Sequence, residues 1–278
     1  MGTYITTYDK VIGITCSTVT ALNTEIAIPV TDSGLDKSSG AELINASGKR
    51  KPYSSKPGKA EATGSIEFIL CPANAALLDL GLDETVHEFT YNEGSGLEKA
   101  TGCRVTSLKI SGEFADVVKV TIDFIAEAVA AGVAISAEES LATPYICLNV
   151  TSALASGKNI ESFEIGVGNN FESIYGMVGT SRMPAEIAPG YQNGLTLGVN
   201  YLENPSVDPI ADELASEGTA EAPIELTIGQ ADGGVPSITF EFVALRPSDT
   251  SKSISPESIV KWDANYILED FTYSLTAE

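Results

Sequence analysis

The sequence predicts a mainly β protein made of two similar units, and three observations lead to this prediction. Apolar residues recur at every second position in many short runs, as they do along half-buried strands. Glycine and asparagine separate these runs, which is typical of turns between antiparallel strands. The stretch VKVTIDFIAE, starting at Val118, also resembles VKWDANYILE, which starts at Val260, 142 residues later.

The two similar stretches predict strands with one buried face each. In the first stretch the predicted buried residues are Val118, Val120, Ile122 and Phe124. In the second they are Val260, Trp262, Ala264 and Tyr266. Lys119 and Asp263 are examples of the residues predicted to face the other way. Other runs with this period are Ile66/Phe68/Leu70, Thr106/Leu108/Ile110, Phe163/Ile165/Val167, Leu195/Leu197/Val199/Tyr201, Ile224/Leu226/Ile228 and Ile238/Phe240/Phe242.

One short helix is predicted in each unit, at corresponding places. The first, ANAALLDLGL, follows Pro72 and ends near Gly81. The second, IADELASEG, has Asp208 as a candidate N-cap, Pro209 in its first turn and Gly218 at its end. Each helix follows a strand (GSIEFIL or GLTLGVNYL) and precedes another (EFTYN or ELTIG). The neighbours of the two similar stretches therefore correspond as well, as an internal repeat requires.

These correspondences divide the chain into three segments. We predict a first unit at residues 1–135, a linker at 136–144 and a second unit at 145–278. The sequence around the linker, AAGVAISAEESLATP, consists mostly of small residues with an acidic pair and a final proline. Such composition is typical of an exposed connector.

The composition argues against several classes of function. The chain has 278 residues, a formal net charge of −22 and no apolar run long enough to span a membrane. A strongly negative protein repels phosphate backbones and anionic lipid surfaces, which argues against specific DNA binding and against a membrane partner. The N-terminal residues show neither a secretory signal nor a myristoylation motif, so we expect neither export nor a lipid anchor.

The cysteines and the single histidine do not predict a reactive site. The four cysteines are scattered without a C-x-x-C pair, which argues against a disulfide scaffold and a zinc site. We expect Cys71 and Cys103 to be small buried apolar residues. His87 lies beside Glu88 without any catalytic or metal-binding motif, so we expect it on the surface or at a strand end.

Two other patterns are weak signals for chemistry. GVGNNF, from Gly166, begins like a dinucleotide-binding loop, but Phe171 stands where the third glycine is required, so we interpret it as a turn. Acidic pairs such as Glu269 and Asp270 are common in any protein this acidic and indicate no glycosidase site. We therefore predict that the protein is not an enzyme and holds no cofactor and no metal.

One segment has the opposite charge balance from the rest of the chain. Residues 32–62 contain six of the sixteen basic residues and only four acidic ones. Because this segment is rich in Gly, Ser, Lys and Pro, we predict a long loop that is either solvated or a binding arm. As an arm it would contact an acidic neighbour. The candidate contact residues are Lys49, Arg50, Lys51, Lys56 and Lys59.

The second unit also carries a resemblance to a known family. The run from Ile160 to Asn204 contains a strand, an Asn-Asn pair, a segment reaching Pro-Gly, and a strand that ends in polar residues. It resembles the core of tail tube proteins from long-tailed, siphovirus-like bacterial and archaeal viruses. The first unit resembles this core more weakly, with a longer loop that we expect only there. The resemblance implies two tandem β-sandwich or half-barrel units, each with a short helix, that assemble into a closed ring barrel.

The resemblance further implies a structural virion protein of the tail, made in the host cytoplasm. Its rings would stack into a tube that conducts viral DNA, with other copies and other tail proteins as partners and only transient, non-specific DNA passage. The resemblance also implies rings with about sixfold internal character when each chain supplies one tube unit. Because this chain contains two units, three chains are expected to complete a ring. The alternative is a non-enzymatic β-sandwich binding module, such as an adhesin or a carbohydrate binder, which would remain a small oligomer in solution.

Overall fold

The protein is mainly β in its computed structural model, as the alternating pattern predicts. The model describes residues 11–16, 26–44, 54–82, 85–92, 97–132, 134–135, 143–152, 160–176, 182–201, 224–230, 236–253 and 261–276. The predicted linker at 136–144 lies mostly outside these residues, and so does the second predicted helix.

The described strands and the helix follow one another along the chain. In the first half they are β1 (Val11–Cys16), β2 (Ile26–Pro29), β3 (Asp32–Ser38), β4 (Glu42–Ile44), β5 (Ser54–Lys56), β6 (Glu61–Ile69), a 3-10 turn (Ala75–Leu78) with helix α1 (Asp79–Leu82), β7 (His87–Asn92), β8 (Leu97–Glu113), β9 (Lys119–Ala126) and β10 (Ala128–Ala131). In the second half they are β11 (Tyr145–Ser152), β12 (Ile160–Ile174), β13 (Glu186–Tyr201), β14 (Ile224–Gln230), β15 (Ser237–Val243), β16 (Arg246–Ser253), β17 (Lys261–Leu268) and β18 (Asp270–Thr276).

Most of these strands belong to three antiparallel arrays. The long sheet runs in the order β3-β6-β9-β8-β12-β13-β17-β16 and uses the C-terminal part of β8. The first short sheet runs β2-β1-β7-β8-β10 and uses the N-terminal part of β8. The second short sheet runs β11-β14-β15-β18. The core lies where the short sheets cover one face of the long sheet, and there the Phe89 ring stacks on Phe124 with centroids 4.3 Å apart.

The alternating residues occupy the faces predicted for them. Val118, Val120 and Ile122 are 0% exposed, and Ala264 and Tyr266 are also buried. Val260 and the side chain of Trp262 are outside the described part, so their burial stays a prediction. The first predicted helix is present as the 3-10 turn and α1, and the side-chain oxygen of Asn74 accepts the Cys71 N–H at 2.9 Å just before it.

Strand pairing follows the same order in the two halves of the chain. The pairs β3·β6, β6·β9 and β9·β8 have counterparts in β12·β13, β13·β17 and β17·β16. Likewise β1·β7, β7·β8 and β8·β10 have counterparts in β11·β14, β14·β15 and β15·β18. One continuous strand, β8, thus corresponds to two shorter ones, β15 and β16.

The acidic residues that close the two similar stretches have the same structural role. The Glu127 N–H donates to the Thr101 carbonyl at 3.1 Å, and the Glu269 N–H donates to Val243 at 3.2 Å. At both places the chain leaves the long sheet and enters a short sheet. The next residues on the partner strands, Gly102 and Ala244, both have positive φ, 65° and 52°. A left-handed residue bends the strand there, which is costly for alanine and free for glycine.

The prediction of a long loop at residues 32–62 is wrong where that segment forms β3, β4, β5 and the start of β6. β3 pairs with β6, and β4 pairs with β5 beyond them, so that a two-stranded arm extends past the long sheet. We call this arm 1. The expectation that only the first unit carries such a projection is also wrong, because β12 and β13 stay paired as far as Ile174 and Glu186. We call the part of this hairpin beyond Asn169 arm 2. These strands are mostly polar and lack the alternating apolar residues from which the other strands were predicted.

Candidate functional site

The long sheet has one buried and one open face because side chains alternate along every strand. On the buried face Val120, Ile165 and Leu197 are 0% exposed. The described residues at the intervening positions form the open face. They are Asp32, Gly34, Asp36, Glu61, Thr63, Ser65, Glu67, Ile69, Arg104, Ser107, Lys109, Ser111, Glu113, Lys119, Thr121, Asp123, Ile125, Ser162, Glu164, Gly166, Gly168, Gly194, Thr196, Gly198, Asn200, Arg246, Asp249, Ser251, Asp263, Asn265 and Ile267.

The open face is polar, small-featured and acidic. About half of its residues are Gly, Ser, Thr or Asn, so few long side chains rise from it. Nine of its residues are acidic and four are basic. A groove of about 550 Å³ lies near its centre, between β8, β12 and β13. The face therefore offers a repulsive surface to a polyanion and little apolar surface to any ligand.

Polar side chains on the open face pair with one another across neighbouring strands. Lys109 Nζ lies 2.7 Å from Glu164 Oε2, between the two halves of the chain. Other cross-strand pairs are Ser107 with Asp123 at 2.7 Å, Asn200 with Ser162 at 2.8 Å, Asn265 with Asp249 at 2.7 Å and Ser251 with Asp263 at 3.2 Å. Each such exposed pair stabilises the fold by less than about 1 kcal/mol. Their main effect is to hold the side chains flat against the sheet.

The two arms contact each other at their bases. The Ala60 N–H donates to the Arg182 carbonyl at 2.8 Å, and Arg182 donates to the Gly58 and Ser39 carbonyls. The Tyr175 hydroxyl donates to the Glu61 carboxylate at 3.0 Å. These contacts fix the direction of arm 1 relative to arm 2.

The candidate contact residues of arm 1 lie in different situations. Lys56 is exposed near the end of β5. Lys59 is exposed too, and its ammonium lies over the Tyr175 ring, 4.5 Å from the centroid. Lys49, Arg50 and Lys51 lie outside the described residues. The structure therefore brings Lys59 into contact with arm 2 of the same chain.

Asn169 is a connecting residue that the sequence reading missed. The segment from Gly166 to Asn170 is not a turn, as predicted, but part of strand β12 with a bulge at Asn169. The bulge directs the Asn169 side chain towards the first half of the chain. There its Nδ2 donates to the carbonyls of Gly81 at 2.9 Å and Val105 at 3.1 Å. Two asparagines within an apolar strand pattern were the available signal for a bulge.

Most groups with a shifted pKa lie on the buried side of the sheets; the exception is Tyr175 of arm 2, whose pKa is raised by partial burial and by its contact with Glu61. Burial raises the pKa of the Cys147 thiol to about 12, and nearby Asp116 adds to the rise. Burial likewise raises the pKa of Tyr145 to about 12. Burial also raises the pKa of Cys103 and the pKa of Tyr273. The Tyr273 hydroxyl donates a hydrogen bond to the Asp79 carboxylate at 2.8 Å. Such protonated, buried groups belong to the core and supply no nucleophile to the open face.

We expect these buried groups to make the protein unstable in alkali. The folded-state pKa of Cys147 is raised from 9.0 to about 12, so the unfolded chain ionises first as the pH rises. This contribution to stability is complete below pH 9 and is lost between pH 9 and 12. The melting temperature should fall across that range. Cys147→Ala should show a shallower fall, and equal slopes for variant and parent would contradict the assignment.

The remaining sequence signals do not assemble into a reactive centre among the described residues. His87 is at a strand end but fully buried beside Phe89, and is not a surface residue. Cys71 and Cys103 are buried as free thiols, as expected. In the described part of the chain no group of His, Cys, Asp and Glu could hold a metal ion. No described helix has the length and apolar character needed to cross a membrane.

Comparison with known proteins accounts for this combination of a polar open face and a mainly β fold. A family model described as "Phage tail tube protein" matches residues 41–255, well over half of the chain. No curated protein matches the sequence. The matched residues run from β4 to β16 and include six of the eight strands of the long sheet, all but β3 and β17. The chain therefore belongs to the phage tail tube protein family, a family of structural proteins of the virion tail.

Proposed function

We propose that this chain forms stacked rings of a viral tail tube and that the open face lines the channel through which DNA passes. The observation that carries the proposal is the open face itself: a broad sheet surface of short polar side chains with an excess of acid. DNA binds proteins mainly by exchanging counterions for Lys and Arg. A wall with nine acidic and four basic described residues gives the DNA few such contacts, so it can slide. The chain would be made in the host cytoplasm and act without catalysis.

The chain is proposed to contain two tandem tube units, residues 1–135 and 145–278. The matching order of strand pairs supports this division. The distance in sequence between corresponding residues also supports the division, because it is constant in the later part of each half. Gly102, Arg104 and Glu127 each correspond to the residue 142 positions later. A duplication explains why both closing acidic residues occupy the same kind of corner.

We propose that three chains close one ring through the edges of the long sheet. Inside the chain, β8 of the first half pairs with β12 of the second half. Among the described strands, β3 and β16 each pair on one side only, and they are the counterparts of β12 and β8. Such head-to-tail edges can repeat the internal joint between chains until a ring closes. Closure also removes edge strands that would otherwise associate without control. With two units per chain, three chains give a pseudo-sixfold wall.

Electron cryomicroscopy of the purified protein, with mass measurement of isolated rings, tests this function. We expect tubes with threefold rings, an inner β-barrel and the open face towards the bore. Six chains per ring would contradict the two-unit argument. A small oligomer that never forms tubes would contradict the function and favour a binding module.

We also propose that arm 1 docks on an adjacent ring, with other tail proteins binding the terminal rings in the same way. Arm 1 carries a surplus of basic residues, whereas the rest of the chain is strongly acidic. Opposite charges on successive rings would orient and speed their association. The contact of Lys59 with Tyr175 supports the arm at its base.

Charge reversal at the tip of arm 1 tests this docking. We expect Lys49→Glu, Arg50→Glu and Lys51→Glu together to weaken stacking, because like charges then meet at the junction between rings. The circular dichroism spectrum should remain that of the parent. Sedimentation across a salt series measures polymer yield, and the defect should be largest at low salt. Equal yields for variant and parent would disprove the docking role.

A further inference from the structure

We propose that β16 of one chain pairs with β3 of the next in a single antiparallel register, with Asp36 opposite Ser251, and that carboxylates at this joint oppose its formation at low salt. The proposal rests on the ring described above and names the residues that close it. The partner is a second copy of this chain, because β8 and β12, the counterparts of β16 and β3, already pair with each other inside each chain.

The internal joint defines the pattern. In the pairing of β8 with β12, Ser107 stands opposite Gly168 and Lys109 opposite Gly166. The Phe114 N–H donates to the Glu161 carbonyl at 2.8 Å. Hydrogen bonding alternates along antiparallel strands, so even-numbered residues of β8 bond to β12. Lys109 and Gly166 therefore form a pair that is not hydrogen-bonded, the kind of pair in which the two Cα atoms come closest.

The strand β16 repeats β8 in detail. Arg104 pairs with Ile125, and Arg246 pairs with Ile267, 142 positions later in both strands. The register then shifts at the same place in each strand, between Val105 and Ser107 and between Pro247 and Asp249. Because the irregularity lies at the same place in both strands, β16 aligns with β8 without a shift of one or two residues. Ser251 is accordingly the counterpart of Lys109.

The strand β3 repeats β12 through its neighbours. Lys37 pairs with Ala62, which in turn pairs with Ala126. Val167 pairs with Leu195, which pairs with Leu268, 142 positions after Ala126. Lys37 is thus the counterpart of Val167, and Asp36 is the counterpart of Gly166. Placing the counterparts of Lys109 and Gly166 together puts Ser251 opposite Asp36 and Asp249 opposite Ser38.

The chemistry of the two joints differs. Inside the chain, Ile110 faces Ile165 on the buried side, and Lys109 pairs with Glu164 on the open side. At the joint between chains, Ser251 stands at the position that corresponds to Lys109, and Gly34 stands at the position that corresponds to Glu164. Asp36 would instead approach Asp249 and Asp263 on the open side. Like charges in such proximity repel, so this joint is weaker than the internal one and strengthens as salt screens it.

A disulfide between chains tests the register. Asp36→Cys and Ser251→Cys in one chain should give covalent multimers up to a closed trimer, because opposite positions bring Cα atoms to about 4.5 to 5.5 Å. The two positions lie on opposite edges of the long sheet, so a bond within one chain is not expected. Each single variant, and the pair Ser38→Cys with Ser251→Cys shifted by two residues, should remain largely uncrosslinked.

The outcomes separate this inference from the proposed function. Tubes that form but crosslink better through the shifted pair would overturn the register and leave the tube function standing. Efficient crosslinking that closes at a number other than three would keep the register and overturn the trimeric ring. If neither pair crosslinks in assembled protein, β3 and β16 do not meet and the inference is wrong.

A charge variant tests the repulsion. Ser251→Lys restores the lysine of the internal joint, and we expect the dissociation constant per joint at low salt to fall about twofold to fivefold, the range of exposed ion pairs. The matched control, Thr272→Lys, adds the same charge at an exposed position of the second short sheet. Equal association of the two variants in sedimentation would overturn the proposed role of the carboxylates.

Discussion

Val120→Asp should lower the free energy of unfolding by about 3 to 5 kcal/mol, the usual effect of an unpaired buried charge. Val120 is 0% exposed, lies opposite Phe68 and Ile110 in the neighbouring strands, and belongs to the shared core. An ionised carboxylate there has neither water nor a cation as partner, so the protein must unfold locally or protonate the group. Chemical denaturation monitored by circular dichroism measures the loss.

Substitutions on the opposite face provide the control. Lys119→Ser removes an exposed ammonium 3.7 Å from Asp116, and Asp263→Ser removes a carboxylate that accepts a bond from Ser251. Each should change the free energy of unfolding by less than about 1 kcal/mol. Trp262→Asp is predicted to resemble Val120→Asp. Similar melting temperatures for all these variants would mean that the buried and open faces have been assigned the wrong way round.

Leu35→Pro should abolish tube formation while leaving the chain folded. By its correspondence with Ile165, the Leu35 N–H points away from β6 and towards the free edge, where it would bond to the next chain. Proline removes that donor and places its ring in the joint, yet proline is tolerated on an edge strand whose N–H faces solvent. One lost contact per joint recurs at every joint of every ring. Polymer yield by sedimentation and electron microscopy should therefore fall to background.

The matched control for this variant is Leu35→Ala, which removes the side chain but keeps the N–H. Leu35 is partly buried and packs against the core, so the alanine variant should lose some stability but still assemble. The folded state of both variants is checked by circular dichroism. Normal tubes from Leu35→Pro would show that β3 does not pair between chains.

Sequence patterns predicted the elements that depend on local contrast between apolar and polar residues. Val120, Ile165 and Phe240 were assigned to buried strand faces, and each is 0 to 1% exposed. The helix after Pro72 was predicted from its proline and glycine signals. The strands of arm 1 were missed, since DSGLDKS and SSK are polar at almost every position and bury nearly nothing. The bulge at Asn169 was read as a turn because glycine and asparagine favour both.

The sequence by itself determined the mainly β class, the buried faces and the resemblance between the halves, because period-two burial and repetition are properties of residue order. Only the tertiary structure decided which strands become neighbours. Ser107 and Gly168 lie far apart in the chain. Their pairing depends on which of many strand edges compete best for each other, and a local sequence pattern contains no information about that competition. The open face arises from the same pairing. It exists because strands from both halves join into one sheet, and neither half carries it alone.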